Sequence, residues 1–240
     1  MDYEHAVATA PPGWTHFRLA DLDRLPRAMR EREFAYVPGA DRRSLEAGDP
    51  DARDRVLRAV FWTLVYHLEP SLWDALATAE PIQPAILSAL PASIDCGLDI
   101  GAGSGRLTAH LLSRCQKVVA VEPSAGLRNI LHRRLPRANV VAGWGEALPL
   151  GDGCSQLTAA CGSFGPDPSV LRELHRVTAV GGLIALISPE SPEWFEENGW
   201  RRLSVPAAAA PEHDRWIDDF FGPLDPPHEL VMTRAEAQQR

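Results

Sequence analysis

Two hydrophobic rhythms divide the chain. Up to about residue 90, apolar positions recur at helical spacing and no strand pattern is present. In DARDRVLRAVFWTLVYHLE (51–69), Val56, Val60, Leu64 and His67 fall at i, i+4, i+8 and i+11 behind an acidic start, which predicts one helix. DLDRLPRAMREREF predicts a charged helical stretch with Pro26 near a start or a kink. PGADRRSLEAGDPD (38–51) reads as a loop from its Pro, Gly and Asp content. PSLWDALATAEPIQPAILSAL predicts two short helices broken by Pro81 and Pro84.

From residue 95 the rhythm changes to short apolar runs alternating with helical spacing. GLDIG, KVVAVEP, ANVVAG, QLTAACGSF and GGLIALISP read as successive strands. RLTAHLLSRC, SAGLRNILHRRL (with Ser124 as N-cap) and DPSVLRELHRVT read as the helices between them. This alternation predicts an open, mostly parallel sheet with helices on both faces and ligands at the carboxyl ends of its strands. GWRRLSV and HELVMT alternate less cleanly and are expected as edge strands. Between them, PAAAAPEHDRWIDDFFGPLDPP is too long for a tight hairpin and is read as an excursion with one short helix around Arg215–Phe221. The expected organisation is a helical extension over residues 1–92 and a ligand-binding domain over 93–240, with an insertion near 206–227.

Composition narrows the function. The 240 residues carry a net charge of −8 and 45% apolar content, enough for a sizeable core but with no excess of basic residues for nucleic acid. No apolar run approaches the length of a membrane span, and MDYEHAVATAPPGW lacks a positive region ahead of an apolar one, so a cytoplasmic location without a leader is expected. Cys96, Cys115, Cys154 and Cys161 are scattered without metal-ligand spacing and read as reduced thiols, with no metal site.

The stretch LDIGAGSGRLT (98–108) is the first candidate for chemistry: a buried strand, a glycine-rich turn, then a helix. The dinucleotide pattern G-x-G-x-x-G is not met, because Arg106 stands at the third glycine counted from Gly101 and Thr108 at that counted from Gly103. No Gly-Lys-Ser/Thr follows, so a P-loop is also excluded. What is present is Asp99-x-Gly101-x-Gly103-x-Gly105, with Glu122 ending the next strand, where an acid can accept from both hydroxyls of a ribose.

LDIGAGSGRLT, VVAVEPSAGLR, VVAGWGEALPL, AACGSFGPDPSVLRELHRV and GGLIALIS come in the order and spacing of the class I S-adenosylmethionine (SAM) methyltransferases. Over residues 94–190 the chain resembles that family, and within it the quinone-biosynthesis (type 11) subgroup. The resemblance implies a Rossmann-like α/β fold: a seven-stranded, mostly parallel sheet with an N-terminal helical lid. It implies SAM as cofactor and S-adenosylhomocysteine as product. Asp99, Gly101, Ala102, Gly103 and Gly105 match the turn at the methionine end of SAM, where Asp99 compensates the ammonium and the following helix start favours the carboxylate. Glu122, with Pro123 beside it, matches the ribose-binding acid. Gly145 and Glu146 match the pair whose backbone reads the adenine edge, and Cys161 and Ser163 match the end of strand four. Three positions depart from the pattern. Trp144 replaces the usual Asp or Thr and is expected to stack on adenine. Gln156 replaces an Asp, and Val180 replaces a Pro.

Methyl transfer from a sulfonium needs alignment and exclusion of water, and a base only where the nucleophile keeps a proton. The candidate bases are His67, on the helix beside Tyr66, and His228, at the start of the last strand. His213 lies in the excursion, and His110, His132 and His175 fall on sheet-packing helices. The expected function is transfer of a methyl group to a small organic acceptor on oxygen, nitrogen or carbon, by a monomer or homodimer. Two alternatives stay open: a SAM-binding scaffold or regulator without transfer, and an enzyme using the same pocket for aminopropyl transfer or a nucleotide-dependent redox step.

Overall fold

The computed structural model describes residues 3–236. In chain order its helices and strands are α1 (Tyr3–Ala8), α2 (Arg27–Ala35), α3 (Gly39–Glu46), α4 (Pro50–Ala59), α5 (Phe61–Leu68), α6 (Pro70–Ala79), α7 (Pro84–Ala89), β1 (Ile94–Ile100), α8 (Arg106–Leu111), β2 (Cys115–Val121), α9 (Ala125–Arg134), β3 (Asn139–Val141), β4 (Ser155–Cys161), α10 (Pro168–Val177), β5 (Thr178–Ile187), α11 (Pro192–Glu197), β6 (Arg201–Ser204), α12 (Arg215–Phe221) and β7 (Glu229–Arg234). They fall into two compact units. One runs up to Leu76 and takes in Glu212–Leu224; the other spans Ala77–Pro211 and resumes at Asp225.

The second unit is built on one seven-stranded sheet in the order β3-β2-β1-β4-β5-β7-β6. Neighbours from β3 to β5 pair in parallel, and β7 runs antiparallel to both β5 and β6. The two late strands expected at edges differ in place: β6 is an edge, whereas β7 lies inside the sheet. Successive strand residues feed opposite faces, as the two-residue period requires. On one face Val118, Leu157, Ala159, Ala185 and Ile187 pack with Ile86, Leu90, Leu107 and Leu111 from α7, α8 and the segment after α7. On the other, Leu98, Ile100, Val119, Val121, Ile184 and Leu186 pack with Leu174 and Phe195 from α10 and α11. Both faces are covered, which is why these strands read as continuous apolar runs. The cap expected at Ser124 forms, with Oγ accepting from Leu127 N (3.3 Å), and Asp167 Oδ1 accepts from Ser169 N (2.7 Å) at the start of α10.

The first unit holds a cluster of aromatic rings. Phe61 is fully buried, and Trp62 stacks on Phe221 with ring centroids 5.7 Å apart and planes 8° apart. Tyr66 and Trp73 meet Trp62 and each other. Glycine is required at Gly13, since a Cβ there would lie 2.4 Å from the Phe220 carbonyl oxygen.

Two sequence expectations fail in this unit. The stretch 38–51 is not a loop: α3 occupies Gly39–Glu46. Pro38 sits at its N-cap, where a missing N–H costs nothing, and Ala, Arg, Leu and Glu sustain the turns that follow. The stretch 51–69 is not one helix but two, α4 and α5, divided at Val60 (φ −95°, ψ 4°). Val56 and Leu64 are buried on either side of that break, so one stripe serves two helices. Among the described residues no helix is long and apolar enough to cross a membrane, and no group of three or more His, Cys, Asp or Glu is placed to hold a metal ion.

Candidate functional site

The glycine turn leaves β1 at the carboxyl edge of the sheet. Gly101, Gly103 and Gly105 all have positive φ (69°, 56° and 102°), a backbone that other residues adopt only under strain. A Cβ at Gly101 would also meet Ser163 Oγ at 2.7 Å. The turn is sewn to β2, since Gly101 N and Ala102 N both donate to Val121 O (2.9 and 3.0 Å). Glu122 completes the stitching: Oε2 accepts from Gly103 N (2.9 Å) and Oε1 from Ser124 N (2.7 Å). The acid expected at the ribose therefore also holds the turn in shape. Arg128 donates to the Glu122 and Pro123 carbonyls (2.7 Å each).

Asp99 lies beneath the turn, 1% exposed. Its Oδ2 accepts from Thr108 Oγ1 (2.5 Å), and its Oδ1 has no partner among the described residues. The hydroxyl of Ser104, equally buried, has none either. Burial pushes the Asp99 carboxyl up to about 7, against the Thr108 hydrogen bond, and the Glu122 charge adds to the rise. Burial also raises Glu122, opposed by its two backbone donors. A buried carboxyl with an unmet oxygen beside a second buried carboxyl is a site that favours a cationic ligand.

The turn after β3 carries Trp144, Gly145 and Glu146, all half-buried. Trp144 O accepts from Ala147 N (3.1 Å). Gly145 has to be small, because a Cβ would lie 2.6 Å from Phe164 Cε1. Glu173 and Arg176 of α10 pin the loop beyond, through Leu148 N (2.7 Å), Leu148 O (3.0 Å) and Leu150 O (2.7 Å). Ser163 Oγ lies 3.2 Å from Gly101 O and 3.1 Å from Cys161 O, bringing the end of β4 to the glycine turn. The Cys161 thiol is buried there, which raises it. Of the departures, Gln156 accepts from Cys96 N (2.9 Å) on β1, and Val180 is 75% exposed.

A profile described as a methyltransferase domain matches residues 98–182, from the glycine turn to the start of the β5 apolar run. An uncharacterised methyltransferase of Mycobacterium tuberculosis is 33% identical over 115 residues, 46% of this chain and 47% of that protein. Over this region the chain is similar to methyltransferases. A demethylmenaquinone methyltransferase of Beutenbergia cavernae is 34% identical over 100 residues, 40% of this chain and 42% of that protein. The matches thus span under half the length of these relatives. The same fold occurs in a structure reported for conversion of a disulfide bond into a thioacetal group during echinomycin biosynthesis, with a TM-score of 0.51 at 15% identity over 71% of this chain and 93% of that one.

Beside the methyltransferase motifs runs a chain of polar contacts that no sequence pattern marks. Arg106, the first residue of α8, donates to Glu80 O (2.9 Å) and lies 3.5 Å from Glu80 Oε2. Glu80 Oε1 accepts from Asp225 N (3.0 Å). Asp225 Oδ1 is 3.2 Å from His228 Nδ1, and Pro226 O is 3.2 Å from the same nitrogen. Because β7 is antiparallel, its first residues stand at the carboxyl end of β5, with Ile187 opposite Leu230 and Ser188 N donating to Glu229 O (2.8 Å). His228 is therefore at the carboxyl edge of the sheet. His67 belongs to α5 in the helical unit. Sequence reading missed Thr108, Ser104, Arg106, Glu80 and Asp225. Only Asp225 carried a usable signal, its i,i+3 spacing to a histidine in DPPH.

Proposed function

We propose that the protein transfers a methyl group from SAM to a small organic acceptor at the carboxyl edge of the sheet. The observation that carries this reading is the pair of buried carboxyls, Asp99 and Glu122, at a glycine turn open to backbone approach. Such a pair attracts a ligand bearing positive charge and disfavours the anionic pyrophosphate of a dinucleotide. When bound, SAM supplies a methyl group on a sulfonium whose leaving group is neutral. Asp99 meets the ammonium through its unmatched Oδ1. Glu122 keeps lone pairs for ribose hydroxyls while it holds Gly103 and Ser124. Trp144 stacks on the adenine, and the Gly145–Glu146 backbone reads its edge. Gly101, Ala102, Gly103 and Gly105 let the cofactor approach the backbone, with Pro123 and Cys161 at the margins.

His228 takes the proton of a protic acceptor. Both groups facing Nδ1 are acceptors, so Nδ1 carries the hydrogen of the neutral ring and Nε2 is left as the proton-accepting atom. His67 is the second candidate, tested by His67→Gln in the same assay. A quinone-like acceptor belongs in the panel because one relative is a demethylmenaquinone methyltransferase.

The test is calorimetric titration with SAM, S-adenosylhomocysteine and NAD in parallel, followed by a panel of protic small acceptors. Micromolar binding of the first two and none of NAD is expected. Absence of binding by either SAM species overturns the reading. Binding without transfer to any acceptor favours the scaffold alternative.

A further inference from the structure

Glu80 lies in the connection between α6 and α7, 145 positions before Asp225, and its side chain is only 18% exposed. Its two carboxyl oxygens face two different things. Oε2 faces the Arg106 guanidinium, itself 13% exposed, and Oε1 takes the backbone N–H of Asp225. Surface ion pairs rarely need such a build. This carboxylate is desolvated, which raises it above its ordinary range, and it is divided between one guanidinium and one loop amide.

The loop explains the expense. The Asp225 carboxylate is 70% exposed, and an exposed carboxylate near an imidazole is held only weakly by their mutual attraction. Its direction has to come from the backbone. Pro226 and Pro227 restrict the backbone after Asp225, and Val205 N donates to His228 O (3.0 Å). Glu80 holds the peptide entering Asp225. Arg106 in turn fixes Glu80, from the helix that begins directly after Gly105 of the glycine turn. The contacts run from that turn to the start of β7.

We infer that Glu80 is a positioning residue for His228: by accepting the Asp225 N–H it holds the Asp225 carboxylate against Nδ1–H and leaves Nε2 as the nitrogen that receives a proton. This rests on the proposed role of His228 as proton acceptor. Its test reads the imidazole itself, so it fails or succeeds whether or not a methyl group is transferred.

The full chain is labelled with nitrogen-15 histidine, and the His228 ring is identified by its loss in His228→Gln. Wild type is expected to show a single neutral tautomer, protonated on Nδ1. Asp225→Ala removes the side-chain acceptor but keeps the backbone amide, and should shift the ring toward the Nε2–H form. Glu80→Ala should shift it as far, whereas Glu80→Gln, whose side-chain oxygen still accepts from Asp225 N, should restore the wild-type pattern. A wild-type tautomer in Glu80→Ala overturns the inference, as does a Glu80→Gln ring shifted as far as that of Glu80→Ala. The unsubstituted protein gives an independent check. The Asp225 amide proton, on an exposed residue, should be protected from solvent exchange, and fast exchange there overturns the inference too.

Discussion

Asp99→Asn is the substitution that separates stability from binding, because its two effects have opposite signs. In the free protein Asp99 is 1% exposed, and burial pushes its carboxyl from 3.8 up to about 7. A group whose folded value is raised stabilises the fold fully below its unfolded value and loses that contribution as pH rises through the folded one. The interval is 7 minus 3.8, or about three units, and at about 1.4 kcal/mol per unit it amounts to roughly 4 kcal/mol above neutrality. Asparagine carries no charge at any pH and keeps an oxygen for Thr108 Oγ1. Its amide nitrogen takes the place of the unpartnered Oδ1, which costs about 1–3 kcal/mol as a buried donor. The net expectation at about pH 8 is a variant about 1–3 kcal/mol more stable than wild type, the gain shrinking as pH falls and reversing between about pH 4.5 and 6. SAM affinity should fall instead, by about 1.5–3 kcal/mol, the worth of a hydrogen bond to a charged partner. Urea denaturation at several pH values and calorimetry read the two effects separately. A variant less stable than wild type at about pH 8, or a stability difference that does not change with pH, refutes the account of Asp99 as a buried carboxyl kept for a cation.

The same reasoning makes SAM binding release protons near neutrality, since the ammonium favours ionised Asp99; titrations in buffers of different ionisation enthalpy should show the release, and affinity should rise as pH rises toward about 7. Glu122→Gln turns one of two backbone-bound oxygens into a donor facing an N–H, so stability should drop by about 2–4 kcal/mol and SAM affinity should fall with it; a variant as stable as wild type in urea would remove Glu122 from the turn's support. Gly101→Ala places a methyl 2.7 Å from Ser163 Oγ at φ 69°. The strained backbone alone costs about 1–2 kcal/mol, so a scanning calorimeter should record a melting point several degrees lower and titration a weakened cofactor. Trp144→Ala should weaken SAM while Trp144→Phe largely keeps it, as stacking requires; equal weakening by both would point to the indole N–H instead.

What the sequence determined by itself was everything encoded in neighbours along the chain. Five strands were legible as apolar runs because both faces of the sheet are covered, while the last two alternated less cleanly and the interior place of β7 was not legible. The positions of Asp99, the glycines and Glu122 followed from where those runs end. Ser124 was legible as a helix start because a cap acts on amides two or three residues away. The helical region was less legible for the same reason: Val56 and Leu64 keep one spacing across α4 and α5, so their stripe does not reveal the break at Val60. Pro, Gly and Asp in 38–51 mark a helix start and end, and composition alone does not tell such ends from a loop. The tertiary structure alone decided what each polar group meets. The double engagement of Glu122 depends on where the glycine turn passes β2, and the unmet oxygen of Asp99 on how completely α8 covers it. The contact between Glu80 and Asp225 joins residues 145 positions apart, beyond any local period, and exists because an antiparallel β7 brings its first residues to the carboxyl edge of the sheet.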